Sequence, residues 1–250
     1  MGVITFAGYS SKDCGITVEG FSKPKIPKRR VTQYTVPGRN GTVDIDEGTW
    51  ENVTQSYTVH WRTDLVDGPM ESLALWMAAK GYQKLEDDFW PNHYRLARLD
   101  GDFEIDNRNN VLGRCKLAFD CRPEWYRKNV EDITIVNDYT ASTVFNPTSN
   151  TATPVIVLRL NQAAAMGGIS IGSNKVTLDM SNAESLPDDM TVVFDCDSRN
   201  AWSLDGTENL NQWVVVNGDY PSFSPGENTV SMDSSVVSCT ITPRWWDLTP

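Results

Sequence analysis

The feature that most constrains this chain is its rhythm. Short runs alternate apolar and polar residues one by one, and turn residues separate them. In Ser56–Leu65, Tyr57, Val59, Trp61, Thr63 and Leu65 fall on one side, and Ser56, Thr58, His60 and Arg62 on the other. A period of two sends successive side chains to opposite faces of a pleated strand, one toward a core and one toward solvent. The pattern recurs from Val111 to Cys121, with Gly113, Cys115, Leu117 and Phe119 alternating against Arg114, Lys116, Ala118 and Asp120. Val3–Phe6, Ile16–Val18, Thr42–Asp46 and Tyr94–Leu99 read as further strands.

One stretch breaks the rhythm. Pro69 follows Gly68 and Gly81 stops the run, a start and stop that predict a helix over 69–80. Within it Met70, Leu73, Ala74 and Met77 share a face, with Trp76 beside them, as expected of one helix laid on a sheet.

Charge divides the chain. Residues 1–128 hold 18 Lys+Arg and 18 Asp+Glu, whereas residues 129–250 hold 4 and 15, so the whole net charge of −11 lies in the second part. That shift predicts two domains, 1–128 and 129–250. In the second, Asn137–Thr153 is polar and reads as a linker or first loop. Val155–Leu160, Met190–Cys196, Gln212–Val216 and Val236–Thr242 then read as strands, the last placing Val237, Cys239 and Ile241 inward. Turn dipeptides such as Asn217-Gly218 and Pro225-Gly226 separate them, which predicts an antiparallel sandwich. The fold class expected is mainly β, a barrel or sandwich with one helix followed by a second sandwich.

Against that background Lys23–Thr42 stands out. It carries Lys23, Lys25, Lys28, Arg29, Arg30 and Arg39 and no acid, and Pro24 and Pro27 favour an extended, edge-like path. Val36-Pro37-Gly38-Arg39-Asn40-Gly41 is a strong turn signal. Pro37 sets φ near −65° and Gly38 accepts a positive φ. Tyr34 is the one ring in the segment, too little aromatic interleaving for a nucleic-acid surface, so no specific nucleic-acid binding is expected. The acidic second part would repel nucleic acid.

Catalytic patterns are missing. There is no GxSxG, HExxH, P-loop or GxGxxG run, and His60 and His93 are the only histidines. Asp100–Asp106 looks calcium-like, but Ile105 occupies the position that needs glycine and Val111 the one that needs a bidentate glutamate. Five dispersed cysteines form no CxxC pair and read as free core thiols. The expectation is a protein without enzymatic activity, metal or cofactor. No run of 18 apolar residues occurs and the first residues lack a secretory pattern, so neither membrane insertion nor export is expected. Trp202 and Trp213 leave an alternative open, a carbohydrate-binding module recognising cell-surface glycans.

Taken in order, several segments resemble the distal tail proteins of long-tailed, non-contractile bacteriophages. They are Ile4–Gly8 with Ser11…Gly15–Val18, Tyr34–Gly41, Phe119–Pro123, Phe145–Pro154, Phe194–Asp197, Gly218–Pro221, Ser224–Asn228 and Ile241–Trp245. One departure is Phe145-Asn146-Pro147, where the family commonly has glycine after the asparagine. The resemblance implies a structural hub of the tail tip. Its first domain assembles into a homo-hexameric ring and its galectin-like second domain projects outward. The ring joins the tail tube protein to the tail-tip or tail-associated protein, with receptor-binding proteins an optional further partner. It further implies location in the virion, with assembly in the host cytoplasm. Arg29, Arg30, Tyr34, Pro37, Gly38, Arg39 and Trp90 are then the candidate contacts between subunits, the three arginines pairing with carboxylates of the neighbour.

Overall fold

The computed structural model describes residues 2–13, 15–19, 23–62, 73–76, 78–101, 106–108, 112–162, 164–183 and 190–250. Cys14, Thr63, Leu65, the expected helix start at Pro69 with Met70, Met77, and residues 102–105 of the acidic turn lie outside them. The chain is mainly β and divides into two compact units, residues 1–128 with 248–250, and residues 129–247.

The first unit contains β1 (Ile4–Phe6), β2 (Tyr9–Ser10), β3 (Thr17–Glu19), β4 (Arg29–Thr35), β5 (Thr42–Trp50), β6 (Val53–Arg62), β7 (Gln83–Asp87), β8 (His93–Leu99), β9 (Asp106–Arg108), β10 (Leu112–Cys121) and β11 (Trp125–Arg127). Its main sheet runs β2-β1-β7-β8-β10-β6-β3, with β9 on β10 and β11 on β8. Gly2 then bridges Val18 through two 3.3 Å backbone hydrogen bonds, so the chain just before β1 meets β3 and the sheet curls round on itself.

The inward face of that wall is the alternating set. Val53, Tyr57, Val59 and Trp61 of β6 are buried with Cys115, Leu117, Phe119 and Cys121 of β10. Phe119 packs edge-on against Phe6 at 5.0 Å and against Tyr57 at 5.9 Å. Gly113 stands opposite Trp61 in register, and a Cβ there would lie 2.4 Å from the indole. Only glycine leaves the ring its place.

Residues 73–76 are helical. Leu73 and Trp76 are buried, Ala74 is exposed, and the Trp76 indole N–H donates to the Tyr9 carbonyl at 3.3 Å. Among the described residues the buried positions of the helix are therefore 73 and 76, and the expected place of Ala74 on the buried face is corrected. Large side chains, not alanine, fill the space above the sheet.

The second unit holds β12 (Ile133–Val136), β13 (Ser142–Asn146), β14 (Val155–Leu160), β15 (Met166–Ile171), β16 (Asn174–Asp179), β17 (Thr191–Asp195), β18 (Asn200–Ser203), β19 (Val214–Asn217), β20 (Gly226–Met232) and β21 (Val236–Thr242). They form two antiparallel five-stranded sheets, β12-β21-β14-β17-β18 and β13-β20-β15-β16-β19. Ile156, Leu158, Phe194, Cys239 and Ile241 of one pack with Val144, Ile169, Val176 and Val230 of the other in a single core. This is a sandwich.

Three expectations change in this unit. Asn137–Thr153 is not a bare linker, because Ser142–Asn146 pairs along β20. Val236, not Val237, turns inward, since the β14–β21 register shifts between Arg159 and Leu160 and sets Leu160 against Val236. Asn211–Trp213 forms a single 3-10 turn before the strand. The Phe145-Asn146-Pro147 loop is held by Asn146. Its amide donates to the Asn150 and Phe223 carbonyls at 2.9 and 3.0 Å, and its carbonyl oxygen accepts from the Thr148 N–H and hydroxyl at 2.9 and 2.8 Å.

Candidate interaction surface

Among the described residues, strands β4 and β5 pair only with each other and form a sheet of their own. Their loop closes as the residues demand. The Arg39 N–H donates to the Val36 carbonyl at 3.1 Å and Gly38 sits at φ +82°, the type II arrangement that Pro37-Gly38 favours. The base is anchored. Pro27 is buried, and the Lys28 carbonyl accepts from the Glu51 N–H at 2.8 Å. The guanidinium of Arg95, only 1% exposed, donates to the Lys25 and Pro123 carbonyls at 3.3 and 3.4 Å and lies 4.1 Å from the Trp125 ring. Burial of that charge would be costly without those carbonyls and the ring face.

Register divides the ribbon into two unlike faces. Tyr34 opposes Val43 and Thr32 opposes Ile45, so one face carries Thr32, Tyr34, Val43 and Ile45. Tyr34 is 53% exposed and Ile45 52%. The other face carries Val31, Gln33, Asp44 and Asp46, and its polar groups are largely satisfied within the hairpin. The Gln33 amide donates to Asp44 at 3.0 Å, and Arg29 binds Asp46 at 2.5 Å while its guanidinium lies 5.1 Å from the Trp50 ring.

The charges are mostly spent internally. Arg30 faces Glu47 at 3.9 Å, and the Thr32 hydroxyl donates to Glu47 at 2.6 Å. The Gly48 N–H bound to Asp46, together with Arg29, holds the Asp46 carboxyl below its ordinary value. Arg29 and Arg30 thus already have carboxylate partners in their own ribbon. Arg39, at the tip, has no ion-pair partner among the described residues. Counting outward from the turn would have put Val43 opposite Tyr34 and Ile45 opposite Thr32, a signal the charge pattern overshadowed. Nothing in the sequence singled out Arg95.

The remaining sequence candidates lie elsewhere. Trp90 follows β7, half-buried and edge-on to Trp125 at 6.3 Å, and is not part of the ribbon. Trp213 packs against the core of the second unit, and Trp202 sits on the edge strand β18, bridged to Asn209. Both are half-buried, and no aromatic neighbour stacks on either among the described residues. No group of three His, Cys, Asp or Glu is arranged to hold a metal among those residues.

No family model and no curated protein matches the sequence. Solved structures do match the fold. The Dit protein (gp 19.1) of phage SPP1, described as a paradigm of the hub adsorption apparatus in phages infecting Gram-positive bacteria, aligns with a TM-score of 0.69 at 13% identity. The alignment covers 96% of this chain and 98% of that one. A chain of the phage P2 baseplate in its activated conformation with calcium aligns with a TM-score of 0.60 at 8% identity, covering 96% and 97%.

Proposed function

We propose that this protein is a distal-tail hub of a long-tailed bacteriophage, a structural and non-enzymatic component of the tail tip. The observation that carries this reading is the fold shared with the SPP1 hub protein across both units and nearly the full length of each chain. In this reading the first unit assembles into a homo-hexameric ring, the second is a galectin-like domain that projects outward, and the ring joins tail tube protein to tail-tip proteins. Receptor-binding proteins are a further partner. The site of action is the virion tail tip, reached after assembly in the host cytoplasm.

The ribbon of β4 and β5 supports the ring. A two-stranded sheet is marginal by itself. This one leaves its Tyr34 and Ile45 face uncovered, the behaviour of an element completed by a neighbouring copy. Head-to-tail contact of that kind closes into a ring when the rotation allows. Its internally paired arginines assign Tyr34, Val43 and Ile45 the main contact, with Arg39 reaching the neighbour from the tip. Pro37 and Gly38 hold that tip rigid. Trp90, committed to Trp125, contributes to the packing beneath.

Electron microscopy of the purified full chain tests the proposal directly. Closed rings of six 28.0 kDa copies are expected. A protein that stays monomeric at micromolar concentration and binds glycan through Trp202 or Trp213 would replace the hub with the carbohydrate module.

A further inference from the structure

The second unit is strongly acidic, yet one place on it is not. On the outward side of β14, β17 and β21 lies a groove of about 700 Å³, lined by Val157, Arg159, Thr191, Leu204, Val237 and Thr240 among others. That is large enough for a few residues of another chain. No carboxylate lines it among the described residues.

Arg159 is the one charged residue in its lining among the described residues. In register it is flanked by Thr191 of β17 on one side and Ser238 of β21 on the other. The unit has four Lys+Arg in all, and the other three are committed: Lys175 to Asp233 at 2.6 Å, Arg199 to Asp219 at 3.1 Å and Arg244 to Asp195 at 2.7 Å. Arg159 alone has neither ion-pair nor hydrogen-bond partner among the described residues. Among the described residues of a unit rich in carboxylates, this one guanidinium is left unspent and open to an anion from outside. The register shift directly after Arg159 is independent of charge. It turns Val237 outward onto the groove wall, where it is 43% exposed; Leu204, which follows β18 and also lines the groove, is 55% exposed. Bulges that re-aim a side chain are frequent next to functional sites.

We propose that this groove docks an extended segment of a partner protein that presents a carboxylate side chain between aliphatic residues. The carboxylate meets Arg159, whose planar fork suits two-pronged contact. The flanking aliphatic side chains cover Val157, Leu204 and Val237, and the threonine and serine hydroxyls bind backbone groups. A carboxylated glycan shares the anion but not the rest, because no aromatic ring lines the groove for a sugar face to stack on. The inference goes beyond the tail-hub reading and stands or falls separately from ring formation.

The test is an array of immobilised hexapeptides, each with one Glu or Asp between aliphatic residues, beside matched Gln and Lys series. Labelled full-length protein is applied at low salt. Acidic peptides are expected to retain it about fivefold better than the Gln series, the strength of one partly exposed ion pair. Arg159→Ala is expected to erase the preference, and Arg159→Glu to shift it to the Lys series, which loss of packing alone would not do. Val237→Asp, on the neighbouring strand β21, is expected to weaken acidic peptides without altering Arg159. Absence of a charge preference, or a preference unchanged in Arg159→Glu, overturns the proposal. Retention of an oligogalacturonide with no retention of acidic peptides also overturns it and assigns the groove to a glycan.

Discussion

Removing the apolar face of the ribbon should uncouple assembly from folding. Tyr34 and Ile45 are 53% and 52% exposed. Covering what they expose removes about 200 Å² from water, worth at most about 5 kcal/mol per contact at about 25 cal/mol per Å². Immobilising the ribbon and its side chains takes back part of this, leaving about 2–3 kcal/mol, roughly a hundredfold in the dissociation constant. Arg39→Glu, by contrast, touches an exposed charge and should change assembly by about 0–1 kcal/mol. Reversing Arg29 and Arg30 would be a poorer probe, because it breaks their pairs with Asp46 and Glu47 and disturbs the ribbon itself. The assay is sedimentation velocity on wild type, Tyr34→Ser/Ile45→Ser and Arg39→Glu at matched concentrations, with thermal melts as the control for folding. The double variant should shift to smaller species with an unchanged melt, and Arg39→Glu should stay close to wild type. Wild-type assembly of the double variant, or dissociation by Arg39→Glu alone, would refute the reasoning that apolar contact outweighs charge here.

Three further outcomes follow from the interior. Gly113→Ala places a Cβ 2.4 Å from the Trp61 indole, so it should destabilise the first unit by about 1–3 kcal/mol; an unchanged urea midpoint, followed by tryptophan fluorescence, would mean the ring yields freely. At Asp195 burial opposes ionisation, but the Arg244 contacts at 2.7 and 3.3 Å and its charge outweigh it, holding the carboxyl below its ordinary value. Such stabilisation is complete above the unfolded-state pKa of about 3.9 and is lost as pH falls through the lower folded value. Arg244→Met should therefore cost about 1–3 kcal/mol at neutral pH and flatten the acid-induced loss, measured by urea titration across pH. Burial pushes the thiols of Cys115, Cys121 and Cys239 up to about 11 and that of Cys196 to about 12. In a Cys14→Ser background a thiol-specific disulfide reagent at mild pH should react only as fast as the protein opens. Rapid stoichiometric labelling of the native chain would contradict the burial.

Where apolar and polar residues alternate cleanly, the fold was legible. β6 and β10 are the two best alternating runs, and they pair with each other over ten residues, Leu112 against Arg62 through Cys121 against Val53. The type II turn at Pro37-Gly38 was equally legible, because its chemistry is local. Legibility failed where polar residues point inward. In β13 the inward positions are Val144 and Asn146 while Phe145 is 63% exposed, so the alternation is disguised and the segment reads as loop. It failed again at β21, because Val236 and Val237 are interchangeable by composition and only the bulge at Val237, where β21 takes one more residue than β14, chooses between them. The candidate surface was half legible. The arginines of the ribbon were visible, but their partners Asp46 and Glu47 belong to the returning strand, and only the register brings them together.

That cancellation decides what kind of surface each unit offers. In the ribbon, two of the three arginines are neutralised by the opposite strand, so its field at a distance is weak and its uncovered aliphatic and aromatic face is what remains to be satisfied. Such a face is self-consistent only against another apolar surface, and identical subunits can supply it at fixed stoichiometry. In the second unit the situation is reversed. The excess of carboxylates keeps like units apart, and the one cation left uncommitted among the described residues lines a groove. A surface repelled by its own copies yet holding a reserved guanidinium selects a different, acidic partner. Raising salt should therefore separate the two contacts. Screening weakens recognition at Arg159 within a Debye length of about 10 Å at 0.1 M, and it leaves the Tyr34 and Ile45 contact largely intact. A salt titration in which ring assembly was lost before acidic-peptide binding would invert this assignment.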